Sequence, residues 1–338
     1  MRSFVHDQPG IRIVFATGAL SRLAEEVQRL GCARALILTS SRRRADADEA
    51  SKILGAASIG VFAEAEMHVP AAAARGAVDA AKTSKADCCV AVGGGSTIGL
   101  GKVIARDTGL PAIAVPTTYS GSEMTAVYGI TEGGVKRTGR DIKVLAKTVI
   151  YDPALTLKLP AKVAGPSGMN ALAHCMAGIL DNELSPAVRL LADEGVRVLF
   201  DALPRVVTDP AVLNARADAL YGAWLAGSVL SAARANVHYK ICHALGGAFN
   251  LPHAEVHAIV LPYSIAYNTD SARQGQEIYD LGRRVGAPAA LKDIGMPEEG
   301  LDRAARLATE NVAFNPRPVD FISVRKLLEE AYEGKRPE

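Results

Sequence analysis

The chain has 338 residues, 49% of them hydrophobic, and a formal net charge of +2. That length predicts two domains with sizeable cores. The near balance of charge excludes the basic footprint of a nucleic-acid or membrane-surface protein. Much of the apolar content is alanine, and no uninterrupted apolar stretch is long enough to span a bilayer. Residues 1–10 carry neither the apolar core nor the cleavage site of a secretory signal. Five cysteines (Cys32, Cys88, Cys89, Cys175 and Cys242) are odd in number and form no CxxC pair, which predicts reduced thiols and a cytoplasmic location.

In chain order, short apolar runs first alternate with amphipathic stretches. Residues 18–30 show helical spacing, 34–40 read as a buried strand, 70–85 as a helix, 87–92 as a strand, 97–106 as a helix and 111–115 as a strand. Residues 128–137 predict a hairpin turning at Glu132, Gly133 and Gly134, and 148–151 a last strand. After Asp152 and Pro153 strands cease. Helical spacing then recurs over 163–180, 186–203, 211–245 and 301–309. The expected fold class is α/β plus all-α. A Rossmann-like parallel-sheet nucleotide-binding domain spans 1–152, and a helical substrate or catalytic domain spans 153–338. A small-molecule cleft is expected between them.

Gly93, Gly94, Gly95 and Ser96 follow a predicted strand and open a predicted helix. Glycines there let backbone N–H groups approach a phosphate without a Cβ in the way, and the helix start adds free donors and a favourable dipole end. The spacing is not GxGxxG, so a tight strand–helix turn is the plain alternative. Thr117, Thr118 and Ser122 leave the next strand end and could line the same crevice, or serve only as turn residues. The strand ending at Thr39 and Ser40 is followed by Arg42, Arg43 and Arg44 instead of a carboxylate. That permits a ribose 2′-phosphate, hence NADPH as well as NADH, with a solvated basic loop as the alternative.

Three polar pairs stand four residues apart in apolar helical segments: Asn170 with His174, Tyr239 with His243, and His253 with His257. Burying such groups costs free energy unless each is paired, and function is the usual reason to retain them. His238 and His257 best fit satisfied core residues, and His6 and His68 are read as incidental. The chemistry suits hydride addition to a C=C bond conjugated with a ketone. Negative charge then develops on the ketone oxygen, where His243, His253 or Tyr239 could stabilise it, and one of them or a held water could deliver the proton. The basic run at 136–143 could steer an acidic substrate, although a solvated hairpin explains it better.

Residues 93–101, 116–125, 138–141, 148–153, 167–174, 242–253 and 314–318 together resemble the maleylacetate reductases, of the iron-type (group III) alcohol dehydrogenase superfamily. The resemblance runs from about Val14 to the last helix. It implies a dehydroquinate synthase-like fold, often paired as a homodimer. It implies NADH- or NADPH-dependent reduction of maleylacetate to 3-oxoadipate in the breakdown of aromatic compounds. Metal-dependent relatives carry Asp at the position of Asn170 and His at those of His174, Tyr239 and His253. The maleylacetate reductases have Asn at the first, and the resemblance implies no metal. Two departures stand out: His238-Tyr239-Lys240 where the family reads His-His-Lys, and Ala177 and Leu180 where it continues with a glutamate and an aromatic.

The expected assignments follow. His243, His253 and Tyr239 are catalytic, with His243 first as donor. Asn170, His174 and Lys240 bind substrate. Gly93, Gly94, Gly95, Ser96, Thr117, Thr118, Ser122, Thr39 and Ser40 bind the dinucleotide. No metal is expected, and the partners are a small acidic substrate and a second copy of the chain, with no nucleic acid or membrane. Alternatives are a metal-dependent alcohol dehydrogenase reducing C=O, with His238 or His257 supplying a missing ligand, a paralogue for another unsaturated oxo-acid, and a non-catalytic nucleotide sensor. A lyase of the dehydroquinate synthase type fits less well, since that chemistry relies on a metal.

Overall fold

The computed structural model describes His6 and residues 10–133, 135–269 and 271–338, the side chains of Val135 and Lys136 excepted. Gly134 of the expected hairpin turn lies outside the described residues, as does most of the N-terminal segment. The chain divides into two compact units at Leu159–Pro160, and His6 groups with the second. Among the described residues no helix is long and apolar enough to cross a membrane.

The first unit alternates β1 (Arg12–Phe15), α1 (Leu23–Arg29), β2 (Ala35–Leu38), α2 (Arg44–Leu54), β3 (Ser58–Phe62), α3 (Ala71–Thr83), β4 (Cys88–Gly93), α4 (Gly95–Thr108) and β5 (Ala112–Pro116). A hairpin of β6 (Val127–Glu132) and β7 (Val135–Arg140) follows, then β8 (Thr148–Tyr151) and α5 (Pro153–Thr156). The six-stranded sheet runs β1-β8-β5-β4-β2-β3, and every pairing in it is parallel. Alternation along β4 explains its double burial. Cys88, Val90 and Val92 join Ile37, Ile113, Val115 and Ile150 under α1 and α2. Cys89 and Ala91 point the other way, toward Gly101 of α4, where a Cβ would come within 3.4 Å of the Ala91 Cβ. Asp152 closes the unit: its carboxylate caps α5 at the N–H of Ala154 and also accepts from the N–H groups of Gly18 and Leu20.

Sequence spacing missed β1, β3 and α2. β1 and β3 are edge strands with little full burial, so neither carries a continuous apolar run. α2 opens on Arg44, inside the arginine run read as a loop, and is made mostly of charged residues and alanine.

The second unit is helical: α6 (Ala161–Leu180), α7 (Pro186–Thr208), α8 (Leu213–Ala232), α9 (Val237–Phe249), α10 (His253–Thr269), α11 (Ala272–Arg284), α12 (Leu301–Thr309) and α13 (Phe321–Glu333). α6 is buried on all sides from Ala164 to Gly178, so it carries no amphipathic stripe. A second core gathers Val237, Ile241, Leu245, Val256, Ile259, Val260, Leu301 and Leu328 from α9, α10, α12 and α13.

The expectation of one helix over 211–245 is corrected: the chain breaks between Ala232 and Val237. The cause is tertiary. The Arg234 N–H and guanidinium are captured by Asp181 at 2.9 and 2.6 Å, and the guanidinium lies over the Phe314 ring. Asn236 then restarts the helix by accepting from the His238 N–H.

Candidate functional site

Three neighbouring strand ends of the first unit, those of β2, β4 and β5, carry the loops with the expected cofactor residues. The sheet order reverses between β2 and β4, the topological switch point at which open α/β sheets bind ligands. Gly94 caps α4 without any side-chain bond to the helix, so the first N–H groups of the helix remain available to an anion. The cradle is tight. A Cβ on Gly93 would meet the Thr97 side chain, at 2.8 Å from its Cβ, and one on Gly94 would come within 3.0 Å of Thr118 Cγ2. Ser120 stands 3.5 Å from the corresponding position on Gly95. The Thr117 N–H donates to the Gly93 carbonyl, and its own hydroxyl is buried with no partner among the described residues. Thr39 is spoken for: its hydroxyl donates to the Val92 carbonyl at 2.9 Å, tying β2 to β4. Of the three arginines, Arg43 bonds Asp46 and the Leu155 carbonyl, Arg44 bonds Asp48, and Arg42 is exposed.

Beneath the Ser122 turn lies a network that spacing did not reveal. Lys102, 3% exposed, donates from Nζ to Ser122 Oγ, Thr125 Oγ1 and the Val127 carbonyl at 3.2, 3.0 and 2.6 Å. Burial brings its ammonium down to about 7, although nearby Glu123 pulls the other way. Glu123 is itself fully buried, accepts from Tyr151 Oη at 2.9 Å, and is raised by desolvation. The only sequence signal was a lysine and a glutamate within otherwise small or apolar segments.

In the second unit the three i,i+4 pairs fall on α6, α9 and α10, and the structure brings their rings together. Tyr239 Oη and His174 Nδ1 are 2.8 Å apart, with the two rings stacked at 5.8 Å. His257 is edge-on to His174 and Tyr239 at 5.8 Å and to His253 at 4.4 Å. His243 lies 6.4 Å from Tyr239 and is exposed, while Asn170 and His174 are each 3% exposed. A left-handed Asn250 caps α9 and lets the chain turn through Pro252 into His253. Lys240 is half-buried on α9. Burial, aided by Cys175 and Cys242, raises the Tyr239 phenol well above its ordinary value, so it stays protonated.

His238 and His257 belong to this cluster as well. His238 Nδ1 is 3.0 Å from Ser264 Oγ, and its Nε2 is 2.9 Å from His257 Nδ1 and 3.7 Å from Cys242 Sγ. Burial first, then neighbouring imidazoles, lowers His238 to about 3 and His257 well below its ordinary value. Both rings are therefore neutral. Among the described residues of this unit, His238, Cys242 and His257 are also the trio whose ligand atoms lie within 4.8 Å of one another.

Comparisons with known proteins agree along the whole chain. The iron-containing alcohol dehydrogenase family matches residues 9–153, and the C-terminal part of the Fe-containing alcohol dehydrogenase family matches residues 165–277. The chain is 48% identical to maleylacetate reductase of Burkholderia cepacia, with 100% of both sequences covered. It superposes on the crystal structures of maleylacetate reductase from Rhizobium sp. strain MTP-10005 and from Agrobacterium tumefaciens with a TM-score of 0.94 each, at 44% and 43% identity and full coverage of every chain. A fold with a nucleotide-type parallel sheet, a helical unit rich in paired polar side chains, and full-length identity at this level place the protein among the oxidoreductases, and it belongs to the maleylacetate reductase branch of the iron-containing alcohol dehydrogenase family.

Proposed function

We propose that the protein is an NADH- or NADPH-dependent reductase of maleylacetate, or of a closely similar unsaturated oxo-dicarboxylate, and that it works without a metal. The observation that carries the metal-free reading is the 2.8 Å contact between Tyr239 Oη and His174 Nδ1. The family name implies iron, yet the four positions expected to hold it are Asn170, His174, Tyr239 and His253. One imidazole nitrogen is committed to a phenol, the phenol keeps its proton, and no carboxylate is present. A divalent ion wants imidazole and carboxylate, and a neutral amide or phenol is a poor replacement.

In this reading the glycine turn holds the pyrophosphate at the start of α4. A bound reduced nicotinamide would supply the hydride for the alkene carbon β to the ketone, being itself oxidised in exchange. The alkene electron pair shifts to form an enolate, whose charge rests on the ketone oxygen. Tyr239 Oη or the exposed His243 donates to that oxygen. A proton then reaches the α carbon from His243, His253 or a water they hold, completing a saturated oxo-acid. Lys240, half-buried on α9, supplies positive charge for a substrate carboxylate.

The test is oxidation of NADH and of NADPH by freshly prepared maleylacetate, with and without EDTA. Chelator-resistant turnover supports the proposal and ranks the cofactors. Turnover abolished by EDTA and restored by iron or zinc would sink the metal-free part. Cofactor binding with no turnover on any unsaturated oxo-acid would sink the reductase itself.

A further inference from the structure

The protons of the buried imidazoles can be placed from their partners. Ser264 Oγ lies 2.9 Å from the Leu261 carbonyl, which can only accept, so its hydrogen points there. The bond between Ser264 Oγ and His238 Nδ1 at 3.0 Å then has His238 Nδ1–H as donor. A neutral ring protonated at Nδ1 carries a lone pair on Nε2. His238 Nε2 must therefore accept from His257 Nδ1–H at 2.9 Å, and it also faces the Cys242 thiol, a second donor, at 3.7 Å. His257 is left with a lone pair on its own Nε2. That atom is buried, and among the described residues no group bonds to it. It belongs to the ring set edge-on among His174, Tyr239 and His253. The opposite set of tautomers would put a donor at His257 Nε2 with nothing among the described residues to receive it, and would turn His238 Nδ1 into an acceptor facing a Ser264 hydroxyl whose hydrogen is already given to Leu261.

We propose that Ser264 and His238 fix the tautomer of His257, and that His257 Nε2 is an unprotonated acceptor for an O–H group of the bound ligand. A buried acceptor without a partner is retained at a cost, and such atoms call for an explanation such as a functional role or an ordered water. His257 is thus a ligand-binding residue, and His238 and Ser264 are positioning residues that act through it. The ligand class rests on the reductase reading: an oxo-acid whose enol carries the hydroxyl. The tautomer assignment does not rest on it.

The experiment is long-range proton–nitrogen correlation NMR on the full chain labelled with ¹⁵N-histidine, free, with NAD⁺, and with 3-oxoadipate. The free protein is expected to show His238 and His257 each protonated at Nδ1. Ser264→Ala is expected to mix the tautomers of both rings, a signature that a merely structural serine would not produce. A move of the His257 Nε2 resonance with 3-oxoadipate assigns the hydroxyl to the organic ligand, and a move with NAD⁺ alone assigns it to a water ordered with the cofactor. In parallel, His257→Phe is expected to weaken binding of 3-oxoadipate about tenfold, the size of one lost hydrogen bond, and His257→Gln to recover part of it. A free protein with His257 protonated at Nε2 overturns the proposal. So does an unmoved resonance when calorimetry shows both ligands bound. Failure of maleylacetate as a substrate would strike the reductase reading and leave the tautomer result standing.

Discussion

Tyr239 Oη sits 2.8 Å from His174 Nδ1, across α9 and α6, where metal-binding relatives are expected to place two imidazoles around an ion. Here the phenol of Tyr239 holds His174 in place. Tyr239→Phe is expected to keep the fold and lower kcat by about 10²–10³, the range seen when one oxyanion donor is removed. The double variant Asn170→Asp with Tyr239→His restores a carboxylate and three imidazoles. It is expected to bind one equivalent of zinc or iron by elemental analysis, where the parent protein binds none. An equal metal content in the two proteins would remove the donor-set argument.

The glycine turn separates two effects of a methyl group. Gly93→Ala drives a Cβ into Thr97, which is buried at the start of α4, so loss of stability of about 1–3 kcal/mol is expected by chemical denaturation. Gly94→Ala meets only the half-exposed Thr118 at 3.0 Å. Its stability should change little while its dinucleotide Kd rises, read by quenching of NADH fluorescence. Equal effects on Kd would mean that the turn is only a packing device.

Cofactor choice is expected to rest on Arg42, because Arg43 and Arg44 are already bonded to Asp46 and Asp48. Arg42→Glu should raise KM for NADPH by about tenfold and leave KM for NADH within about twofold, one charge-assisted contact being worth about 1.5–3 kcal/mol. A parallel rise for both cofactors would place Arg42 away from the ribose.

Lys102 gives stability an unusual pH dependence. Its folded value of about 7 lies below the 10.5 of an exposed lysine, so between them the unfolded chain holds more protons and stability rises with pH. Glu123, raised by burial, acts with the opposite sign at lower pH, losing its proton more readily in the unfolded chain. Denaturation midpoints are expected to climb only just above pH 7, at up to about 1.4 kcal/mol per pH unit. At higher pH the buried thiols of Cys88, Cys89, Cys175 and Cys242, held protonated by burial in the folded chain, reverse the slope. Lys102→Met should remove the climb and leave the later fall. Identical profiles for the two proteins just above neutral pH would show Lys102 charged throughout.

The sheet was legible where burial on both faces makes continuous apolar runs, as at Cys88–Gly93 and Thr148–Tyr151, and illegible at the edges, where β1 and β3 are half-covered. The polar pairs were legible because four-residue spacing on a helix fixes a shared face. Their mutual arrangement was not. That Tyr239 would meet His174, or that His238 would pair with His257 and Ser264, depends on how α6, α9 and α10 pack, and no local pattern encodes it. His238 and His257 illustrate the point. Each reads singly as a satisfied core residue, and one nitrogen of the second is left over only once the partners are known.

The interruption at Ala233–Asn236 has an evolutionary reading. Along one unbroken helix, every inserted or deleted residue turns all later side chains by about 100°. Because Asp181 arrests α8 at Arg234 and Asn236 starts α9 afresh, the angular phase of Tyr239, Lys240 and His243 is set locally. The long α7–α8 pair can gain or lose residues without rotating α9. Relatives that differ in the length of that pair can therefore keep Tyr239, Lys240 and His243 in one orientation.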